Sequence, residues 1–413
     1  MAKHIYIWLG LVMLIALAGC TSPGMTPTRS PGLEALDAII ERGIKQRRYP
    51  GAVCVIGRVE GASHQLLWAQ AYGRLSYEPD SPAVTLDTAY DLASVTKLVG
   101  TTTATLLLIQ TDKLELDDPA ADYVDAFSAH DNQQAITLRH LLTHTSGFQA
   151  YVQPEIVEAA RDPGDSASEA LMRHYGGLDL AYPTGQGCTY SCLNFQTLAR
   201  VNETVLPDGQ TMEAYLQKKV FGPLGMTYTT WQPGANRASG KDRVEQIAPT
   251  FRVEGVPQAG VVHDPLARYH GSRDATPGNA GLFSTGPDLS RWCRMVLAGG
   301  RWRGRRILDE QLLAQATLMQ TPAQVSDGRG LGFDVFEVEA YVTPANRTPG
   351  HYVVGHFGYT GTLLVLDQHT GVYMILLTNR TLPAEAHLTD QSPSLSDIRS
   401  ACWQAARQGA QRP

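Results

Sequence analysis

Apolar residues first recur at helical spacing. Leu33, Leu36, Ile39, Ile40 and Ile44 share one face, which predicts an amphipathic helix over 33–47. Two short apolar runs follow, 52–56 and 66–69, with Glu60-Gly61 between them, the pattern of a β-hairpin. The stretch from Leu98 to Gln110 carries no charge and predicts a buried helix. The middle of the chain reads as helices and loops, with helices over 137–143, 166–175, 194–205 and 212–220. The last of these is stopped by Gly222-Pro223-Leu224-Gly225. The final third returns to strand composition: 331–338, 351–357, 362–367 and 372–377 are rich in Val, Leu, Tyr and Phe. A turn over 367–371 joins the last two, and a helix over 396–407 closes the chain.

Strands thus lie at both ends with a helical block between them. The economical arrangement is an α/β (α+β) fold: one antiparallel sheet built from both ends, flanked by the terminal helices, with a helical lobe inserted. The expected sheet lobe comprises 33–115 and 250–407 and the expected helical lobe 116–249. A site between the lobes is the natural expectation.

Residues 1–19 read as a targeting segment rather than as fold. Lys3 and His4 precede an uncharged apolar run from Ile5 to Ala18, too short for a secure membrane span and suited to a signal peptide. The run ends Leu17-Ala18-Gly19-Cys20, which resembles the lipobox of bacterial lipoproteins and implies lipidation of Cys20. Thr21 after it favours an outer-membrane position facing the periplasm. Residues 20–32 are rich in Pro, Ser, Thr and Gly and read as a flexible tether. The expected membrane partner is therefore met through a lipid anchor.

Composition narrows the function. The formal charge of -6 and the lack of a long basic run argue against a nucleic-acid partner. Beyond Cys20, five cysteines (Cys54, Cys188, Cys192, Cys293 and Cys402) are spread too widely for a disulfide framework and read mostly as small buried hydrophobes. Cys188 and Cys192 are close enough to pair, though nothing requires it.

The chemistry centres on Asp91-Leu92-Ala93-Ser94-Val95-Thr96-Lys97. Ser94 opens the uncharged helix, where free N–H groups favour developing negative charge. Lys97 lies three residues on, on the same face. Burial would depress its pKa and make it a base for the Ser94 hydroxyl. This segment, with 138–148 (LRHLLTHTSGF), 221–226 (FGPLGM), 279–292 (NAGLFSTGPDLSRW) and 355–362 (GHFGYTGT), resembles the serine β-lactamase-related family of class C β-lactamases, D,D-peptidases and related esterases. The resemblance spans roughly 35–405 and implies the two-lobed, β-lactamase/transpeptidase-like fold.

The resemblance also implies roles. Tyr190, in Tyr190-Ser191-Cys192, would share the proton shuttle with Lys97. Cys192 stands where the family usually has asparagine, and a thiol lacks the amide's donor–acceptor pair. His356-Phe357-Gly358 stands for lysine-threonine-glycine; imidazole keeps a hydrogen-bond donor near the substrate without a permanent charge. The N–H groups of Ser94 and Tyr359 would form an oxyanion hole, and Gly358 would let the backbone approach the substrate.

The implied activity is a cofactor-free serine hydrolase working through an acyl-enzyme on a small-molecule or peptide carbonyl. An esterase or D-Ala-peptide hydrolase fits the two departures better than a β-lactamase or transpeptidase. A non-catalytic peptidoglycan-binding lipoprotein would have no need of a buried lysine beside a serine. There is no G-x-S-x-G elbow, H-E-x-x-H or P-loop. His140 and His144 have metal-pair spacing but no evident third ligand. His263-Asp264, Gly271, Gly278 and Gly281 are expected to line the cleft.

Overall fold

The computed structural model describes residues 32–129, 131–231, 233, 246–271, 275–322, 324–325, 328–336, 352–382 and 394–410. The signal peptide, Cys20 and the tether as far as residue 31 lie outside the described residues, as do 337–338 and His351 of two predicted strands. Among the described residues no helix is long and apolar enough to cross a membrane.

Six strands make one antiparallel sheet: β1 Gly51–Glu60, β2 Ser63–Gly73, β3 Asp334–Phe336, β4 Val353–Phe357, β5 Leu363–Asp367 and β6 Val372–Thr378. Their order is β2-β1-β6-β5-β4-β3. The early hairpin therefore pairs with the last strand, from Ala52 opposite Thr378 to Arg58 opposite Val372. Side chains alternate between two cores. Val53, Val55, Leu364, Ile375 and Leu377 face one; Cys54, Ile56, Val365, Met374 and Leu376 face the other. Strands buried on both sides read as continuous apolar runs, as these do.

Five helices frame the sheet and the site: α1 Ala35–Lys45, α2 Thr103–Gln110, α3 Cys192–Thr204, α4 Gly286–Leu297 and α5 Leu395–Gly409. α1 and α5 bury Leu36, Ile40, Cys402 and Trp403 against one face. α4, which the sequence pattern did not single out, packs Leu289, Trp292, Cys293 and Met295 into the core on the other. Gly57 of β1 faces Tyr373 of β6 at a register shift. The phenol lies over Gly57, so that a Cβ there would come within 2.4 Å of its hydroxyl. That hydroxyl meets Ser290 Oγ of α4 at 2.5 Å and the His64 ring at 2.9 Å.

Three predicted elements need correction. The buried helix opens as a π-helical stretch, Lys97–Thr102, before α2. Thr103 Oγ1 donates to the Leu98 carbonyl, and Thr101 Oγ1 is drawn to Gly278 O; both compete with regular helical bonding. The helix predicted over 212–220 likewise changes to π-helix at Gln217–Phe221. Of the strand predicted over 331–338, only Asp334–Phe336 forms. Leu331 and Gly332 give their N–H groups to Ala316 and Leu142 carbonyls instead of to a ladder.

Candidate active site

The nucleophile candidate stands on a strained turn. Tyr90–Asp91 pairs with Phe283–Ser284, and the chain then turns through Ala93, whose φ is +47°. A non-glycine residue in that region is costly and needs support. Asp91 supplies it: its carboxylate accepts the Ala93 N–H at 2.8 Å and the His263 N–H at 2.7 Å. Burial pushes the Asp91 carboxyl up to about 6, against the pull of those two N–H groups. The turn is also held from the far end of the chain. Thr360 Oγ1 donates to Asp91 O, and Thr362 Oγ1 to Leu92 O, at 2.7 and 2.9 Å.

Ser94 follows the turn. Lys97, fully buried, donates from Nζ to Ser94 Oγ at 3.1 Å, to Asn279 O at 2.8 Å and to Cys192 Sγ at 3.7 Å. The expected depression of Lys97 is not what the surroundings produce. Burial does pull its ammonium down, but Cys192 and Tyr190 oppose it, with Asp264 behind them, and the net direction is up. Tyr190 is raised, chiefly by burial, with Lys97 pulling the other way. Its hydroxyl is buried without a hydrogen-bond partner, and Lys97 Nζ sits 4.9 Å from its ring centre. The two groups form one titrating unit. Amine with phenol and ammonium with phenolate hold the same number of protons.

His144 brackets Tyr190. Its carbonyl accepts the Thr189 N–H at 3.0 Å and its Nδ1 accepts the Ser191 N–H at 3.0 Å. Asn194 Nδ2 reaches the same nitrogen at 3.1 Å. Its ring lies 4.6 Å from the Tyr190 ring. With N–H donors on Nδ1 the ring must be neutral, and burial holds its pKa well below the usual value. His140 does something else: its Nδ1 accepts the Thr137 N–H in a capping box. Among the described residues no group of three His, Cys, Asp or Glu could hold a metal.

On β4, His356 is buried and tilted against Tyr190 at 5.9 Å. Burial lowers its pKa, so it too is neutral. Its Nδ1 donates to Phe357 O at 2.8 Å, which leaves Nε2 as an acceptor. The donor expected for the substrate is thus used by the strand itself. Gly358 could not carry a side chain: a Cβ would lie 1.9 Å from Thr362 Oγ1 and 2.4 Å from Leu92 O. Tyr359 follows, 55% exposed. Among the described residues, neither the Ser94 N–H nor the Tyr359 N–H donates a hydrogen bond.

Two contributors escaped sequence reasoning. Asn279 holds Lys97 through its backbone carbonyl; its side chain lies between Gln196 Nε2, at 2.6 Å, and Asp264 Oδ1, at 3.1 Å. Arg329 lies 5.6 Å over the Tyr190 ring and is ion-paired with Asp334. Of the expected cleft residues, His263-Asp264 does join the site through Asp91 and Asn279. All five described cysteines are free; Cys188 meets Thr143 O, while Cys192 meets Lys97.

Comparison with known proteins matches this geometry to a family. Residues 36–392 fit the family model described as Beta-lactamase. A provisionally named D-alanyl-D-alanine carboxypeptidase of Escherichia coli O157:H7 is 29% identical over 360 residues, 80% of this chain and 79% of that protein. Another, of Escherichia coli strain K12, is 30% identical over 321 residues, 72% and 70% of the two chains. Among solved structures, a hydrolase with promiscuous acyltransferase activity superposes with a TM-score of 0.67 at 21% identity, covering 90% of this chain and 98% of that one. A penicillin-binding protein homologue from Caulobacter crescentus gives 0.66 at 19% identity, covering 93% and 99%. These last two share the fold.

Proposed function

The chain belongs to the beta-lactamase family and is a serine hydrolase, and on that premise we propose that Ser94 is its nucleophile. One observation carries the assignment: Lys97 Nζ lies 3.1 Å from Ser94 Oγ, in a buried site where the Tyr190 hydroxyl has no other partner. The Lys97–Tyr190 unit takes the Ser94 proton as the oxygen attacks the substrate carbonyl. The free N–H groups of Ser94 and Tyr359 receive the oxyanion. Tyr190 then returns the proton to the leaving group, and water repeats the sequence on the acyl-enzyme.

The substrate is an ester or a D-Ala-terminated peptide rather than a β-lactam. Cys192 is engaged with Lys97 and offers no amide to a β-lactam side chain. His356 is neutral, and the permanent cation beside Tyr190 is Arg329. A guanidinium there suits a carboxylate next to the leaving group. The relatives named as D-Ala-D-Ala carboxypeptidases point the same way.

The test is turnover of p-nitrophenyl acetate, nitrocefin and a D-Ala-D-Ala peptide by wild type, Ser94→Ala and Lys97→Ala. We expect loss of at least about a thousandfold in both variants, as for nucleophile and base removal. Turnover that survives Ser94→Ala, or nitrocefin as the best substrate, would overturn the reading.

The lipobox supports a further part of the proposal: a lipid anchor on Cys20 in an outer membrane, with the site facing the periplasm. Mass spectrometry of the membrane fraction should find a diacylglyceryl-modified Cys20 as the first residue. An unmodified Cys20 inside a longer chain would refute it.

A further inference from the structure

Six large hydrophobic side chains are left exposed among the described residues, and four of them belong to one neighbourhood: Val253, Val256, Val261 and Tyr359. Chance would scatter single exposed apolar groups; a cluster marks an interaction site. The two valines at 253 and 256 face each other across a short hairpin, Phe251–Val253 with Val256–Gln258.

A ladder of rings and guanidinium groups joins this hairpin to Tyr359. Arg268 lies 5.0 Å over Phe251, Phe251 is 6.3 Å from His263, and His263 is 5.4 Å from Tyr359. Arg380 closes the series 4.6 Å over Tyr359. The ladder is anchored rather than loose. Arg380 Nε donates to Tyr359 O at 2.6 Å, Arg268 to the His263 carbonyl at 2.8 Å, and the His263 N–H to Asp91. Side chains held in place lose little freedom when something binds to them. The ladder starts at the residue whose N–H faces the reacting carbonyl, and it includes neither Tyr190 nor Arg329. The leaving group lies with its proton donor, Tyr190, so the rim is left to the other half of the substrate.

We propose that this rim is an acyl-group subsite that takes an apolar alkyl or aryl moiety on the carbonyl side of the scissile bond. The proposal rests on Ser94 as nucleophile, but its test does not require turnover. Equilibrium dialysis of full-length Ser94→Ala protein with acetyl and hexanoyl p-nitroanilide measures binding alone. Four added methylenes, partly buried, should make the hexanoyl compound bind about tenfold tighter. Adding Val253→Ser and Val256→Ser should shrink that ratio to about threefold or less. Phenylacetyl p-nitroanilide should behave like the hexanoyl compound. A hexanoyl compound that binds no tighter than the acetyl one, or a ratio unmoved by the double substitution, would overturn the proposal. Failure of the Ser94 assignment would show separately, as turnover that persists in Ser94→Ala.

Discussion

The two walls around Ser94 are held in different ways. On the nucleophile side, the turn is secured by a carboxylate, two threonine hydroxyls and a strand pairing, drawn from three separate regions of the chain. On the proton-shuttle side, both peptide groups flanking Tyr190 are held by His144 alone, and the loop is pinned again only at Ser191 Oγ to Gln149 O and Cys192 N–H to Ala150 O. The first wall must carry backbone strain at Ala93 and is supported several times over. The second carries an aromatic ring with a free hydroxyl and needs only to be aimed. Strain calls for redundancy, whereas aim can rest on one residue.

That contrast can be broken most sharply at His144. His144→Leu removes the acceptor and leaves the buried Ser191 N–H unpaired, at a cost of about 2 kcal/mol. We expect kcat to fall by about tenfold to a hundredfold with KM little changed, because Tyr190 acts on protons rather than on binding. His144→Asn keeps an acceptor near the Nδ1 position and tolerates the positive φ of 60° at this residue. It should restore kcat to within about threefold of wild type. Equal losses in the two variants, read with urea unfolding, would show that His144 merely fills space.

The smaller effect concerns Asp91. Its carboxyl is raised from 3.8 to about 6, so the folded protein holds that proton more tightly than the unfolded chain does. The resulting stabilisation is complete below pH 3.8 and is lost as pH rises through about 6. Relative to Asp91→Asn, wild type should lose roughly 1.4 kcal/mol per pH unit between those limits and hold a constant difference above pH 7. Urea denaturation of both proteins from pH 4 to 8 measures this. Parallel curves would mean that Asp91 does not titrate in that range. At neutral pH the ionised Asp91 is then a stability cost carried to hold the turn before Ser94.

Local signals were legible, and long-range ones were not. Ser94 and Lys97 are three residues apart, so their shared face follows from helix geometry alone. The hairpin, the closing helix and the both-ends sheet followed from periodicity. The direction of the Lys97 shift did not, because the groups that oppose burial come from Tyr190, Cys192 and Asp264, distant in the chain. Asn279 escaped because it acts through a backbone carbonyl, which every residue possesses. Arg329 escaped because a single arginine on a loop has no period. The helix Gly286–Leu297 was passed over because its apolar residues lie amid strand-rich sequence. His356 was placed correctly beside Tyr190, but its tautomer depends on a neighbouring carbonyl that spacing does not show.

Gly57 and Tyr373 carry a consequence for descent. The phenol occupies the space a side chain at 57 would need, and it ties the sheet to Ser290 and His64 from there. Neither position can drift alone: a lineage that gains a side chain at 57 must first give up the ring at 373, and one that loses the ring opens a void that only position 57 can refill. The two sites form a single heritable unit, and their substitutions should appear together on the same branches.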